Sequence, residues 1–306
     1  MIYNFLFHRV SPERDVLWDP MDPKLFQKCI RQITNKFEVI RIEDYVLDKS
    51  LFQSGKYATI VFDDGYKDNI EFAADILNKY NVKSSFYVVT DCIDNNSLTW
   101  THLLEYLFQQ ARKIELELPY SFLPSHMRNV KLCNKSEILD FILKFKPFLK
   151  TIAHEERSIV LNHITKHFSD IVYPKLMMNW TDIRQLNQSG HYIGSHGLTH
   201  NMLGTMKKKT DQVFELSQSA TRIYQELGYS PISISYPIGS YNRDTIEAAK
   251  LLGYKLGLAV KQTVYNPLID NDFEIPRIEL YNEAWWKTQL RISNKLEHIK
   301  KLIRYK

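Results

Sequence analysis

The feature that most constrains this chain is a recurring pair: a short apolar run, followed by a stretch with helical spacing. Ala58-Thr59-Ile60-Val61-Phe62 reads as a strand that stops abruptly at Asp63-Asp64-Gly65. A helical run then carries Ile70, Phe72, Ala73, Ala74, Ile76 and Leu77 to Tyr80, and Ser84 to Val89 is extended again. Strand, helix, strand in this rhythm predicts an α/β fold with a parallel sheet.

The same rhythm frames the rest of the chain. Residues 2–7 read as a buried strand, and Leu25, Phe26, Cys29, Ile30 and Ile33 mark a helix from Asp22 to about residue 36. After a helix over 180–188 come strands at 192–194, 232–236, 256–260 and 275–280, with helices over 209–227 and 243–252 between them. From about residue 91 to 176 the rhythm lapses into helical segments, which predicts a helical insertion rather than a second sheet domain. The expected organisation is one domain over 1–284, then a tail over 285–306. No fixed-period repeat or low-complexity tract is present.

Charge bears on what such a domain could bind. The net charge of +5 invites a nucleic-acid reading, but residues 285–306 hold seven basic side chains against Glu297 alone. That tail is +6 and residues 1–284 are −1, so no basic face is expected on the body and no nucleic acid is expected as partner. Within the tail, Trp285, Ile292, Leu296, Ile299 and Ile303 share one helical stripe. A terminal helix packing on the body and a helix lying peripherally on an anionic membrane both fit it. Cys29, Cys92 and Cys133 are too few and too scattered for a disulfide framework or a CxxC metal site. The segment after Met1 lacks the layout of a secretory signal, and no run approaches a membrane span, so a cytoplasmic location is expected.

In parallel α/β sheets and barrels, ligands gather at the carboxyl ends of the strands. The successive strand ends here present His8, then Asp63 and Asp64, then His196 and His200, then Pro237-Ile238-Gly239; Arg277 lies in the last strand. Two imidazoles four residues apart plus one carboxylate leave open positions on a divalent metal, and Asp64 can be that carboxylate. Its neighbour Asp63 points differently and is free to act as a base. An HxxxH is a weak signal alone: His163 and His167 repeat it inside the insertion, without a strand-end carboxylate, and read as a surface helix face.

TIVFDDG, SHGLTH and SYPIGSY, in that order, resemble the successive motifs of the polysaccharide deacetylases, metal-dependent carbohydrate esterases that include chitin oligosaccharide and peptidoglycan N-deacetylases. FHRVSPE at 7–13 and IPRI at 275–278 extend the resemblance over most of the chain apart from insertion and tail. It implies a distorted (β/α) barrel of about seven strands and removal of an acetyl group from an N-acetylated sugar. The substrate expected is a glycan or glycan precursor of surface polysaccharide assembly, with lipid linkage open and the tail as a membrane dock.

Carried onto this chain, the resemblance makes Asp63 the general base and Asp64, His196 and His200 ligands of a divalent metal, with zinc first and cobalt, manganese, nickel or iron as alternatives. The Ile238 N–H would stabilise the oxyanion and His8 would be the acid; the one late histidine, His298, lies in the tail. Tyr236, Pro237, Gly239 and Trp100 are the expected substrate contacts, with Trp100 at the start of an insertion that walls the cleft. The chain departs from the pattern at Gly197, where Ser or Thr is common, at Ser233, where many members carry arginine, and at Ile238, where tyrosine is usual. Arg277 is expected to replace that arginine by pairing with Asp63. A catalytically silent relative would bind glycans through Trp100, Trp180, Trp285 and Trp286. A non-haem iron oxygenase would share two histidines and a carboxylate, but it predicts neither Asp63 nor the Pro-x-Gly turn.

Overall fold

This computed structural model describes residues 1–48 and 55–296. The short apolar runs become β1 (Ile2–Phe7), β3 (Tyr57–Phe62), β4 (Ser85–Val88), β7 (Tyr192–Ser195), β8 (Ser233–Ser235), β9 (Leu256–Leu258) and β10 (Ile278–Glu279), with β2 (Glu38–Val39) added beside β3. The seven form one sheet in the order β10-β1-β3-β4-β7-β8-β9, every neighbouring pair parallel. All six residues of β3 are buried, which is why YATIVF sits in the middle of the sheet. The sheet curls until its edges meet. Ile275 donates its N–H to the Gly257 carbonyl and accepts from the Ala259 N–H, both at 2.8 Å, while Phe5 pairs with Ile278 in the next residues of the same segment. The result is the distorted (β/α) barrel expected from the sequence.

Helices flank the barrel where periodicity placed them. In α1 (Pro23–Lys36) the Asp22 side chain accepts from the Lys24 and Leu25 N–H groups at the first turn. Its buried face is Phe26, Cys29, Ile30 and Ile33, the predicted stripe. A short α2 (Ile42–Leu47) comes next, and α3 (Ala74–Lys79) continues a π-helical turn over Asn69–Ala73.

The segment between β4 and β7 departs from expectation. It holds α4 (Thr90–Asn95), α5 (Trp100–Gln110), α6 (Lys135–Leu149) and α7 (His154–His167), but also an antiparallel pair, β5 (Ile114–Glu117) with β6 (Asn129–Leu132). The insertion is thus mainly helical with one strand pair that the sequence reading did not include: Ile114 and Leu116 are buried and Glu115 and Glu117 exposed, a period of two that makes a half-buried strand. The segment has its own core, including Phe108, Ile142, Phe145 and Leu149, into which the barrel loops insert Met202 and Ile238. The chain returns through α8 (Trp180–Gln188), α9 (Lys209–Leu227) and α10 (Arg243–Leu251).

Of the tail, α11 (Trp285–Ile292) and the residues to 296 are described. Trp285 packs on the main core, Ile292 is within it and Leu296 is buried, so this part of the stripe faces the body. Ile299 and Ile303, like His298, lie outside the described residues. No helix among the described residues is long and apolar enough to cross a membrane.

Candidate active site

The strand ends converge on one cavity of about 280 Å³, lined on the barrel side by His8, Asp63, Asp64, His196, His200 and Ile238. Topology explains the convergence. β1, β3, β7 and β8 run parallel, so the residues after Phe7, Phe62, Ser195 and Ser235 all emerge on one rim.

Asp64, His196 and His200 each present one ligand-type atom, and the three lie within 4.8 Å of one another. Asp64 Oδ1 is 3.3 Å from His196 Nε2 and 3.2 Å from His200 Nε2, yet it is buried without a hydrogen bond. A buried carboxylate oxygen left in this state is costly unless something else satisfies it. His196 Nδ1 lies 2.8 Å from the Ser235 carbonyl, which can only accept, so the ring proton sits on Nδ1 and the Nε2 lone pair faces Asp64. The donor set, geometry and orphaned oxygen fit a divalent cation.

Asp63 has a different environment. Arg277 Nη1 donates to both of its oxygens, at 2.9 and 2.8 Å, and Ser235 Oγ donates to Oδ2 at 3.0 Å. Both members of the pair are buried. Burial pushes the Asp63 carboxyl up, but the Arg277 guanidinium chiefly outweighs it and holds the group below the usual carboxylate range. The expected Arg277–Asp63 contact is thus present. Ser233, where an arginine was expected, instead donates at 2.6 Å to Glu43, a buried carboxyl near the amino ends of the strands that also accepts from Ser85 and Tyr87.

The histidine loop is held from behind. Glu215 of α9 accepts from the Leu198 and Thr199 N–H groups at 3.1 and 3.0 Å, from Thr199 Oγ1 at 2.5 Å and from Asn201 Nδ2 at 3.1 Å. Gly197 has φ of +79°, a conformation that disfavours the Ser or Thr common elsewhere, and Glu215 supplies the bracing that such a hydroxyl could give. Backbone strain collects here too. Of six non-glycine residues with positive φ among those described, three are asparagines in other turns; the others are Asp64 (+75°), His200 (+61°) and Ile238 (+58°), all at the cavity.

The four expected substrate contacts do not line the cavity. Trp100 is buried; its indole N–H donates to the His200 carbonyl at 3.2 Å and Arg157 lies over its ring, so it supports the loop and does not line the cavity, whose wall the insertion supplies through Thr101, Glu105, Lys146 and Lys150. Tyr236 is buried, stacked on Tyr241 and bonded to the Phe273 carbonyl, because Gly257 and its neighbours leave room for the ring inside the body. Pro237 and Gly239 shape the turn that presents Ile238: Pro237 is buried, and a Cβ on Gly239 would meet Val260 at 2.8 Å, so neither lines the cavity. None of Trp100, Trp180, Trp285 and Trp286 lines the cavity; the indole that does is Trp18, set edge-on to His8 with ring centroids 5.6 Å apart. His163 bonds to the Tyr120 hydroxyl and His167 is exposed on α7, as a surface helix face requires.

Other residues were missed. Glu279 of β10 lies 3.5 Å from His8 Nδ1, and the insertion contributes Glu105, Lys146 and Lys150 to the cavity. The Trp18 loop and insertion helices carry no motif, and only the folded chain brings them to the rim.

Comparison with known proteins bears on the family and the fold. A model of the polysaccharide deacetylase domain matches residues 52–257. The Bacillus subtilis (strain 168) protein YxkH, named as a polysaccharide deacetylase, is 21% identical over 208 residues, 68% of this chain; the chain spans about half, 46%, of that relative's length. Among solved structures, the Streptococcus pyogenes deacetylase PplD superposes with a TM-score of 0.60 at 16% identity over 95% of this chain and 97% of that one. IcaB from Ammonifex degensii gives 0.61 at 14% over 96% and 97%. The de-N-acetylase from Aggregatibacter actinomycetemcomitans gives 0.59 at 19% over 95% and 99%. These last three likenesses show the fold. With about two-thirds of its length matched by the family model and the family's fold around its strand-end motifs, the chain belongs to the polysaccharide deacetylases.

Proposed function

We propose that this protein is a metal-dependent hydrolase that removes the acetyl group from an N-acetylated sugar of a glycan or glycan precursor. The observation that carries the reading is one cavity holding the Asp64–His196–His200 group beside the Asp63–Arg277 pair. Asp64, His196 and His200 would hold the ion, and two imidazoles with one carboxylate favour zinc. When bound, such an ion polarises a carbonyl and raises the acidity of a water, so that a weak base suffices to deprotonate it.

Asp63 is that base. Arg277 keeps it ionised and fixes it, and Ser235 holds Oδ2. The Ile238 turn sets a backbone N–H at the rim, where it can donate to the carbonyl oxygen as negative charge develops. His8, with Nδ1 towards Glu279, has Nε2 left to hand a proton to the departing amine. Trp18 offers an apolar face for the sugar ring.

The test is acetate release from N-acetylated sugars by zinc-loaded protein, with metal content measured in parallel. Asp63→Asn should keep the ion and lose about 10²- to 10⁴-fold in turnover. Asp64→Ala should lose the ion itself. Glycan binding without acetate release, or full activity in Asp63→Asn, would overturn the assignment.

A further inference from the structure

The cavity has a second wall that the proposed hydrolysis does not use. Helix α6 sends Lys146 and Lys150, one turn apart, into the same space as Asp63 and His200. Lys146 is committed to Glu105, a carboxylate almost fully buried beneath it. Lys150 is half-buried and, among the described residues, has no ion pair and no side-chain hydrogen bond.

The acids around Lys150 are already engaged. Glu105 holds Lys146, Glu279 faces His8 and Asp64 stands between the two imidazoles. Burial and then Lys146 both work against the charge on Lys150 and lower its pKa. The end of α6 gives it a favourable dipole, which helps keep the cation in place without satisfying its donors. A divalent ion on Asp64 would leave this wall with still less negative charge to face.

We infer that Lys150, backed by Lys146, is a subsite for a negatively charged group on the substrate, so that the sugar acted on carries a phosphate ester or a carboxylate besides its N-acetyl group. An ammonium at the cavity wall gains most from an anion that enters with the substrate and is desolvated there. This rests on the deacetylase reading for the identity of the ligand, but the charge selection is a property of the wall and is measurable without turnover.

The experiment compares N-acetylglucosamine, N-acetylglucosamine 6-phosphate and N-acetylmuramic acid, by calorimetric affinity and by initial rates of acetate release, on the full zinc-loaded chain. At least one charged sugar should bind about tenfold or more tightly than the neutral one. Lys150→Met should erase that preference and Lys150→Arg should keep it. The better of the two charged sugars separates phosphate from carboxylate. Should Lys150→Met fail to fold, Lys150→Gln decides between the same outcomes. Equal affinities in the unchanged chain, or a preference that survives loss of the lysine, would overturn the subsite. Acetate release without charge preference sinks the subsite alone; charge preference without acetate release sinks the hydrolase reading alone.

Discussion

Asp63 and Arg277 make each other's burial tolerable. Neither charge is solvated, so either one left alone would carry its full desolvation cost. Arg277→Met should therefore lower stability by about 3–5 kcal/mol. The double variant Arg277→Met with Asp63→Asn should lose less than the two single losses added together, because it removes the orphaned charge as well. Urea unfolding at neutral pH measures this, and strictly additive losses would show that the residues do not act as a pair. The pairing was within reach of sequence because Asp63 follows one predicted strand and Arg277 lies within another. Trp100 and Tyr236 were not, since an aromatic residue beside a motif turns inwards or outwards according to packing. Trp18 precedes no motif, so only the folded chain brings it to His8.

At the scale of elements, α9 shows how a helix remote from the chemistry fixes it. Its periodicity was legible, and Gly228 ends it in the left-handed conformation with an N–H to the Tyr224 carbonyl. Its use was not legible, because the acid that reaches the histidine loop, Glu215, reads as one more polar position on an amphipathic helix. Glu215→Ala would strip the shared acceptor from two backbone N–H groups and two side chains. Zinc affinity should fall about 10- to 100-fold, as for other groups that orient ligands, and competition with a chelator of known affinity would read it. Unchanged affinity would reduce Glu215 to a stability role. The β5–β6 hairpin carries a similar lesson. Ile114-Glu115-Leu116-Glu117 has strand period, but four residues between helical segments are a weak signal until a partner at 129–132 supplies the other half.

Across the whole molecule, burial of two histidines outside the ligand set imposes a pH limit. Burial lowers both His102, which shares a hydrogen bond with the Tyr66 hydroxyl, and His191, which accepts from the Ser84 N–H, from 6.5 to about 4. Between those values the unfolded chain binds more protons than the folded one. Stability should thus fall as pH drops below about 6.5, by up to ~1.4 kcal/mol per pH unit for each histidine, and level off below pH 4 as far as these two are concerned. Urea midpoints from pH 8 to 4 test it, and His191→Asn, whose amide oxygen can take the same N–H, should flatten the slope. The overall barrel was readable because parallel strands and helices announce themselves by period, whereas its closure was not, because it depends on a few residues near 275. That seam orders events in time. Phe5 meets Ile278 and Asp63 meets Arg277 only when segments more than two hundred residues apart come together. A barrel still open at this seam holds the Asp64 group without a partner for Asp63, so catalytic competence should be gained late in folding, after most of the sheet has formed.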